Sequence, residues 1–120
     1  MLNTVKNIIN KRVKLHEEDY YRIEECRNEL IEILSKDELL TIDILNQLDD
    51  EEISYVSEVF EEIADNLNSV NYIDCLEKIY IKYPHLLLKY AIEAAKNNTD
   101  MWSVWTMFLC NSMVVKLFFH

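Results

Sequence analysis

Not one of the 120 residues is glycine, and Pro84 is the single proline. At an ordinary glycine usage of about 7 %, a chain of this length lacks it by chance roughly once in several thousand cases. Glycine lets a backbone take positive φ or approach a ligand closely. Its absence excludes the phosphate loops of P-loop and dinucleotide enzymes and the nucleophile elbow of hydrolases. What such a chain can readily build is helix joined to helix, with asparagine standing at helix ends. The length fits one domain, which buries roughly two thirds of its unfolded surface and needs neither disulfides nor a structural metal to fold.

The apolar spacing agrees. Leu2, Val5, Ile8, Ile9 and Val13 recur at three and four residues, and Tyr20, Ile23, Cys26, Leu30, Ile33 and Leu34 repeat the pattern after a joint at His16-Glu17-Glu18. Ser35-Lys36-Asp37-Glu38 predicts a capping box, followed by a third helix through Leu39, Leu40, Ile44, Leu45 and Leu48. Asp49-Asp50-Glu51-Glu52 predicts a fourth start, with Ile53, Val56, Val59, Phe60, Ile63 and Leu67 on one continuous stripe. Ser69 opens a fifth helix that Pro84 ends, and Leu86 to Ala95 form a sixth that Asn97-Asn98 closes. The fold expected is all-α, a compact bundle of five or six short amphipathic helices over residues 1–100, with an apolar C-terminal helix or tail over 101–120. A HEAT-like stack is the minor alternative.

The tail differs in character. Residues 101–120 hold both tryptophans and a single charged side chain, Lys116, whereas 1–100 hold all 22 acids. Met101 to Phe119 is apolar nearly all round, but Ser103, Thr106, Asn111, Ser112 and Lys116 interrupt the roughly 20-residue run that a membrane span needs. It packs on the domain or a partner, serves as a tail anchor, or is a sequence extension or reading-frame accident.

With 22 acids against 12 bases the net charge is −10, which repels nucleic acid and anionic lipid. The acids are unevenly placed. From Asp37 to Glu77 stand thirteen carboxylates and no lysine or arginine. Solvated helices gain a few tenths of a kcal/mol from each opposite pair at i and i+4, and this stretch forgoes it. Glu51, Glu58, Glu62 and Asp65 fall opposite Val56, Phe60 and Ile63, so they are expected to form an outward ridge attractive to a cationic partner. The alternative is that the acids serve solubility alone.

Catalysis and metal binding lack a pattern. Cys26, Cys75 and Cys110 form no CxxC pair, and none pairs by spacing with His16, His85 or His120. Asp49 to Glu52 lack the alternating ligand spacing and glycine of a calcium loop. No cofactor is expected. Three cysteines without a disulfide framework, and an N-terminus without a secretory pattern, suit the cytoplasm.

Tyrosines complete the candidate surface, because the ring buries a large rigid area and keeps a hydroxyl. Tyr72, Tyr80 and Tyr83 gather near Pro84 and Tyr55 lies on the acidic fourth helix, with Tyr55 and Tyr83 expected to be the more exposed. Asp50-Glu51-Glu52-Ile53-Ser54-Tyr55-Val56-Ser57-Glu58-Val59-Phe60-Glu61-Glu62-Ile63 resembles the acidic second helix of the small immunity proteins that neutralise nuclease bacteriocins. Tyr80-Ile81-Lys82-Tyr83-Pro84 is similar to that family's tyrosine pair before a proline, with two residues inserted between the rings. The chain is longer than that family and has more helices, so the resemblance is to small acidic bacterial immunity proteins in the broad sense.

The resemblance implies an antitoxin that is not an enzyme and binds a basic cognate toxin, such as a nuclease, masking its active surface. The residues expected to meet the partner are Asp50, Glu51, Tyr55, Glu58, Glu61, Glu62, Asp65, Tyr80 and Tyr83. The competing expectation is a membrane-associated interaction factor held through 101–120.

Overall fold

A computed structural model describes residues 1–97, and the apolar segment 101–120 lies outside the described residues. The fold is an all-α bundle: α1 (Leu2–Lys14), α2 (Tyr20–Leu34), α3 (Glu38–Asn46), α4 (Asp50–Val56), α5 (Phe60–Leu67), α6 (Val70–Lys82) and α7 (Lys89–Asn97). Single 3-10 turns occupy Ser57–Val59 and Pro84–Leu86. Among the described residues no strand forms and no helix is long and apolar enough to cross a membrane.

Local chemistry sets most helix ends. Asp49 accepts from the Glu52 amide at 2.8 Å while Glu52 accepts from the Asp49 amide at 2.9 Å, a complete capping box. Ser69 caps α6 by accepting from the Tyr72 amide at 3.0 Å. Tyr83 leaves the helical region at φ −126°, ψ 65°, as the residue before a proline must. The third start departs from expectation. Asp37, not Ser35, caps α3, accepting from the Leu39 amide at 3.0 Å. The reason is that Asp37 takes the extended backbone of an N-cap, whereas Ser35 is the C-cap of α2 and its hydroxyl accepts from Asn66 at 2.9 Å. Glu38, freed from a capping role, accepts from the Ser69 hydroxyl and ties the start of α3 to the start of α6.

The expected single fourth helix is two. Val59 stands at φ −122°, ψ 13°, and the 3-10 turn Ser57–Val59 separates α4 from α5. Each half serves a different neighbour: α4 packs on α1, and α5 packs most extensively on α7. A straight helix cannot present Ile53 and Val56 to one and Phe60, Ile63 and Ala64 to the other. Tertiary burial of these side chains, all essentially inaccessible, therefore outweighs the helical preference of the stretch.

One core joins all seven helices. Tyr72 lies at its centre, wholly buried, and its hydroxyl donates to the Phe60 carbonyl at 3.0 Å. Thr41, also buried, donates to the Leu34 carbonyl at 2.6 Å. Charge fixes the register of the outer helices. Lys6 pairs with Glu52 at 3.1 Å and Arg12 with Glu58 at 2.8 Å, each across 46 residues of sequence, so α1 runs in the same direction as α4 and the turn after it.

Without glycine, the two left-handed positions among the described residues fall to Asn68 (φ 47°) and Leu87 (φ 56°). Asparagine tolerates that region. A leucine there costs about 1–2 kcal/mol, and at 82 % exposure this one gains little burial in return.

Candidate partner-binding surface

The thirteen carboxylates do not make one ridge, because the fold uses many of them. Asp37 and Asp49 cap helices, Glu38 meets Ser69, and Asp43 accepts from Gln47 at 3.1 Å. Glu52 is held by Lys6, Asp74 by Lys78 at 3.1 Å and Glu77 by Lys96 at 2.8 Å. The cations come from outside the acidic stretch, above all from α1, which carries Lys6, Lys11, Arg12 and Lys14 and no acid. Two one-signed segments thus lie face to face, and part of the acid excess is the docking surface for the first helix.

Glu58 is the clearest case. Sequence spacing put it on the outward face; the 3-10 turn instead aims it inward, half-buried between two guanidiniums. Arg12 binds both of its oxygens, Nε at 3.1 Å and Nη2 at 2.8 Å, and Arg27 Nε adds a third contact at 3.1 Å. Glu17 approaches Arg12 at 3.7 Å and Glu24 bonds Arg27 at 2.9 Å. The hydrogen bonds that Arg12 donates to Glu58 raise the guanidinium above its already high value. Burial pulls Arg27 the other way, but Glu58 and Glu24 outweigh it. Tyr55 is drawn into the same cluster, half-buried, with the Arg12 guanidinium 5.3 Å from its ring centre.

Asp50 and Tyr83 belong to a second group. His85 Nε2 lies 3.0 Å from Asp50, and this bond, with one from the Glu51 amide, holds the Asp50 carboxyl below its usual range. The His85 ring meets Tyr83 edge-on at 6.2 Å, and the Lys82 ammonium sits over the same Tyr83 ring, 5.2 Å from its centre. Tyr80 and Tyr83 are half-buried against the core. The tyrosines that stand out of the surface are Tyr20, Tyr21 and Tyr90. Tyr20 begins α2 ahead of the buried part of the stripe, and Tyr90 lies on the side of α7 away from Ile92 and Ala95. Helix-end position and the phase of the last short stripe were the available signals.

Glu51 at the start of α4 and Glu61, Glu62 and Asp65 on α5 are exposed. The last three occupy one arc of α5, opposite the buried Phe60, Ile63 and Ala64. Of the nine residues expected to meet a partner, the structure brings Glu61, Glu62 and Asp65 together. Glu58 and Tyr55 join the Arg12 cluster, and Asp50 with Tyr83 joins the His85 cluster.

A cavity of about 580 Å³ opens between α1 and α2, lined by Lys11, Lys14, Arg22, Glu25, Cys26 and Glu29 among others. Its charges are mixed, with Lys11 bound to Glu29 at 3.2 Å, and burial pushes the Cys26 thiol up. Cys75, the other buried thiol, is pushed up to about 11 by burial and by Asp74, and donates weakly to Asn46 at 3.8 Å. Among the described residues no group of three His, Cys, Asp or Glu side chains is arranged to hold a metal ion. No family model, no curated protein and no solved structure matches the chain, so its own geometry carries the functional argument.

Proposed function

We propose that this chain is a binding protein with no chemistry of its own, which captures a basic protein through the outward arc of α5. The partner is a cognate toxin, as the resemblance to acidic immunity proteins implies, and capture masks the toxin's cationic active surface. Glu62 and Asp65 supply the attraction, on the same arc as Glu61 and with Glu51 a further exposed acid. Glu58 and Tyr55 act from behind, holding α4 and the turn that sets the angle of α5.

The observation that carries the proposal is the position of Asp65. It lies in the last turn of an eight-residue helix that has no basic residue there. A carboxylate at that end opposes the helix dipole by about 0.3–1 kcal/mol, and Glu62 three residues earlier adds a like-charge penalty of a few tenths. Stability gives no reason for this placement; attraction of a cationic surface does.

The test is co-expression with toxic domains encoded beside the gene. Growth is expected to be protected by the chain and lost with the double substitution Glu62→Lys and Asp65→Lys at unchanged helix content. Protection that survives the reversal overturns the role of α5, and absence of protection from any neighbouring toxic domain overturns the antitoxin role.

A further inference from the structure

The net charge of −10, which repels anionic lipid from the chain taken as a whole, is unevenly spread and changes sign along its length. Residues 1–77 carry twenty acids and seven bases, whereas 78–120 carry five lysines against only Glu93 and Asp100. Within the described part of that cationic third, Lys78 to Ile92 holds Lys78, Lys82, His85 and Lys89 and no acid. The joint between α6 and α7 lies in the middle of it.

This joint displays apolar side chains outward. Ile81 in the last turn of α6 is 77 % exposed, Leu87 in the joint 82 % and Tyr90 in the first turn of α7 78 %. The backbone beneath them is pinned: Leu88 is buried, Leu86 and Tyr83 pack on the core, and the Leu86 amide donates to the Tyr83 carbonyl at 3.1 Å. Of the three leucines of the joint, Leu87 alone is turned out, on a left-handed backbone that leucine disfavours. Asp50, which approaches the joint from α4, is engaged by His85.

We infer that the α6–α7 joint is a docking surface for an anionic lipid bilayer, with Leu87, Ile81 and Tyr90 entering the interface and Lys82 and Lys89 meeting the headgroups. Side chains exposed by more than three quarters stand out of the surface; they do not line a groove for a partner helix. Exposed apolar side chains interspersed with lysines suit a deformable apolar phase under a negative layer. Tyrosine is at home at that depth, its ring apolar and its hydroxyl wet. The sequence beyond continues in kind, since 101–120 hold Trp102, Trp105, Phe108, Phe118 and Phe119 and no acid. The acidic α5 arc is not needed for this docking, so the inference does not rest on the antitoxin proposal.

The full chain is tested by co-sedimentation with vesicles of phosphatidylcholine alone and of phosphatidylcholine with phosphatidylglycerol. Binding is expected only with phosphatidylglycerol present and is expected to weaken as salt rises. Leu87→Asn, which suits the left-handed backbone and so keeps the fold, combined with Tyr90→Ser should weaken binding by about tenfold or more. Lys82→Glu with Lys89→Glu should weaken it comparably. Failure of the full chain to bind overturns the inference, as does binding unchanged by the Leu87 and Tyr90 substitutions, which assigns it to residues 101–120 alone. Capture of an acidic amphipathic peptide without vesicle binding also overturns it, and makes the joint a protein-binding surface.

Discussion

Arg12 grips both carboxylate oxygens of Glu58 across 46 residues of sequence, while only 5 % of the arginine remains accessible. The arginine is buried because a carboxylate is there to receive it; the carboxylate is half-buried because two guanidiniums surround it. Glu58→Ala leaves Arg12 and Arg27 facing each other without their shared anion. Breaking a fully buried pair costs about 3–5 kcal/mol, and this partly open one should cost about 2–3 kcal/mol in urea unfolding. Joint replacement of Arg12 by Met and Glu58 by Leu should recover most of that loss.

Glu52 performs two tasks, accepting from the Asp49 amide and from Lys6. Glu52→Gln retains the amide contact and loses only the charge pair, so its cost should stay below about 0.5–1 kcal/mol. Glu52→Ala loses both, and Asp49→Ala removes the cap itself, for about 1–2 kcal/mol. Thermal unfolding of the three variants should therefore rank Gln above both alanines.

Cys75 gives the fold a weakness at alkaline pH. The folded chain keeps the thiol proton up to about 11, whereas an unfolded cysteine releases it near pH 8.5. More protons are then bound by the folded state, and stability must fall as pH rises between those values, by about 3 kcal/mol in all. The buried Tyr72 hydroxyl, pushed well above its usual value by desolvation, acts in the same direction. Cys75→Ala should flatten the decline measured by urea unfolding between pH 8 and 10.5. At pH 8, native Cys75 should react with iodoacetamide far more slowly than an unfolded control.

Leu87→Asn should stabilise the chain. Asparagine occupies the left-handed region at Asn68 already, and the substitution removes about 1 kcal/mol of backbone strain while losing almost no burial. A rise in melting temperature of a few degrees is expected for a domain of this size.

Much of the fold was legible in the sequence because helix ends are decided locally. Asp49, Ser69 and Pro84 act on amides and carbonyls within four residues, and each acts where the sequence placed it. The break at Ser57–Val59 was not legible, since no proline or glycine marks it. It arises from α1 and α7 being covered by adjacent halves of one apolar stripe, a fact about distant chain. Glu58 and Tyr55 were misjudged for the same reason: helical spacing made one an outward acid and the other an exposed ring, whereas the break and Arg12 turned both toward the core. The candidate arc on α5 was legible because Glu61, Glu62 and Asp65 lie beyond the break and keep their phase.

The parallel register of α1 with α4 has a further consequence for the chain as it is made. At the ribosome the four cations of the first helix emerge well before Glu52 and Glu58, the anions that receive Lys6 and Arg12. Closing so long a loop delays their union until the middle of the polypeptide has been synthesised, so nascent α1 waits as a bare basic amphipathic segment beside polyanionic RNA.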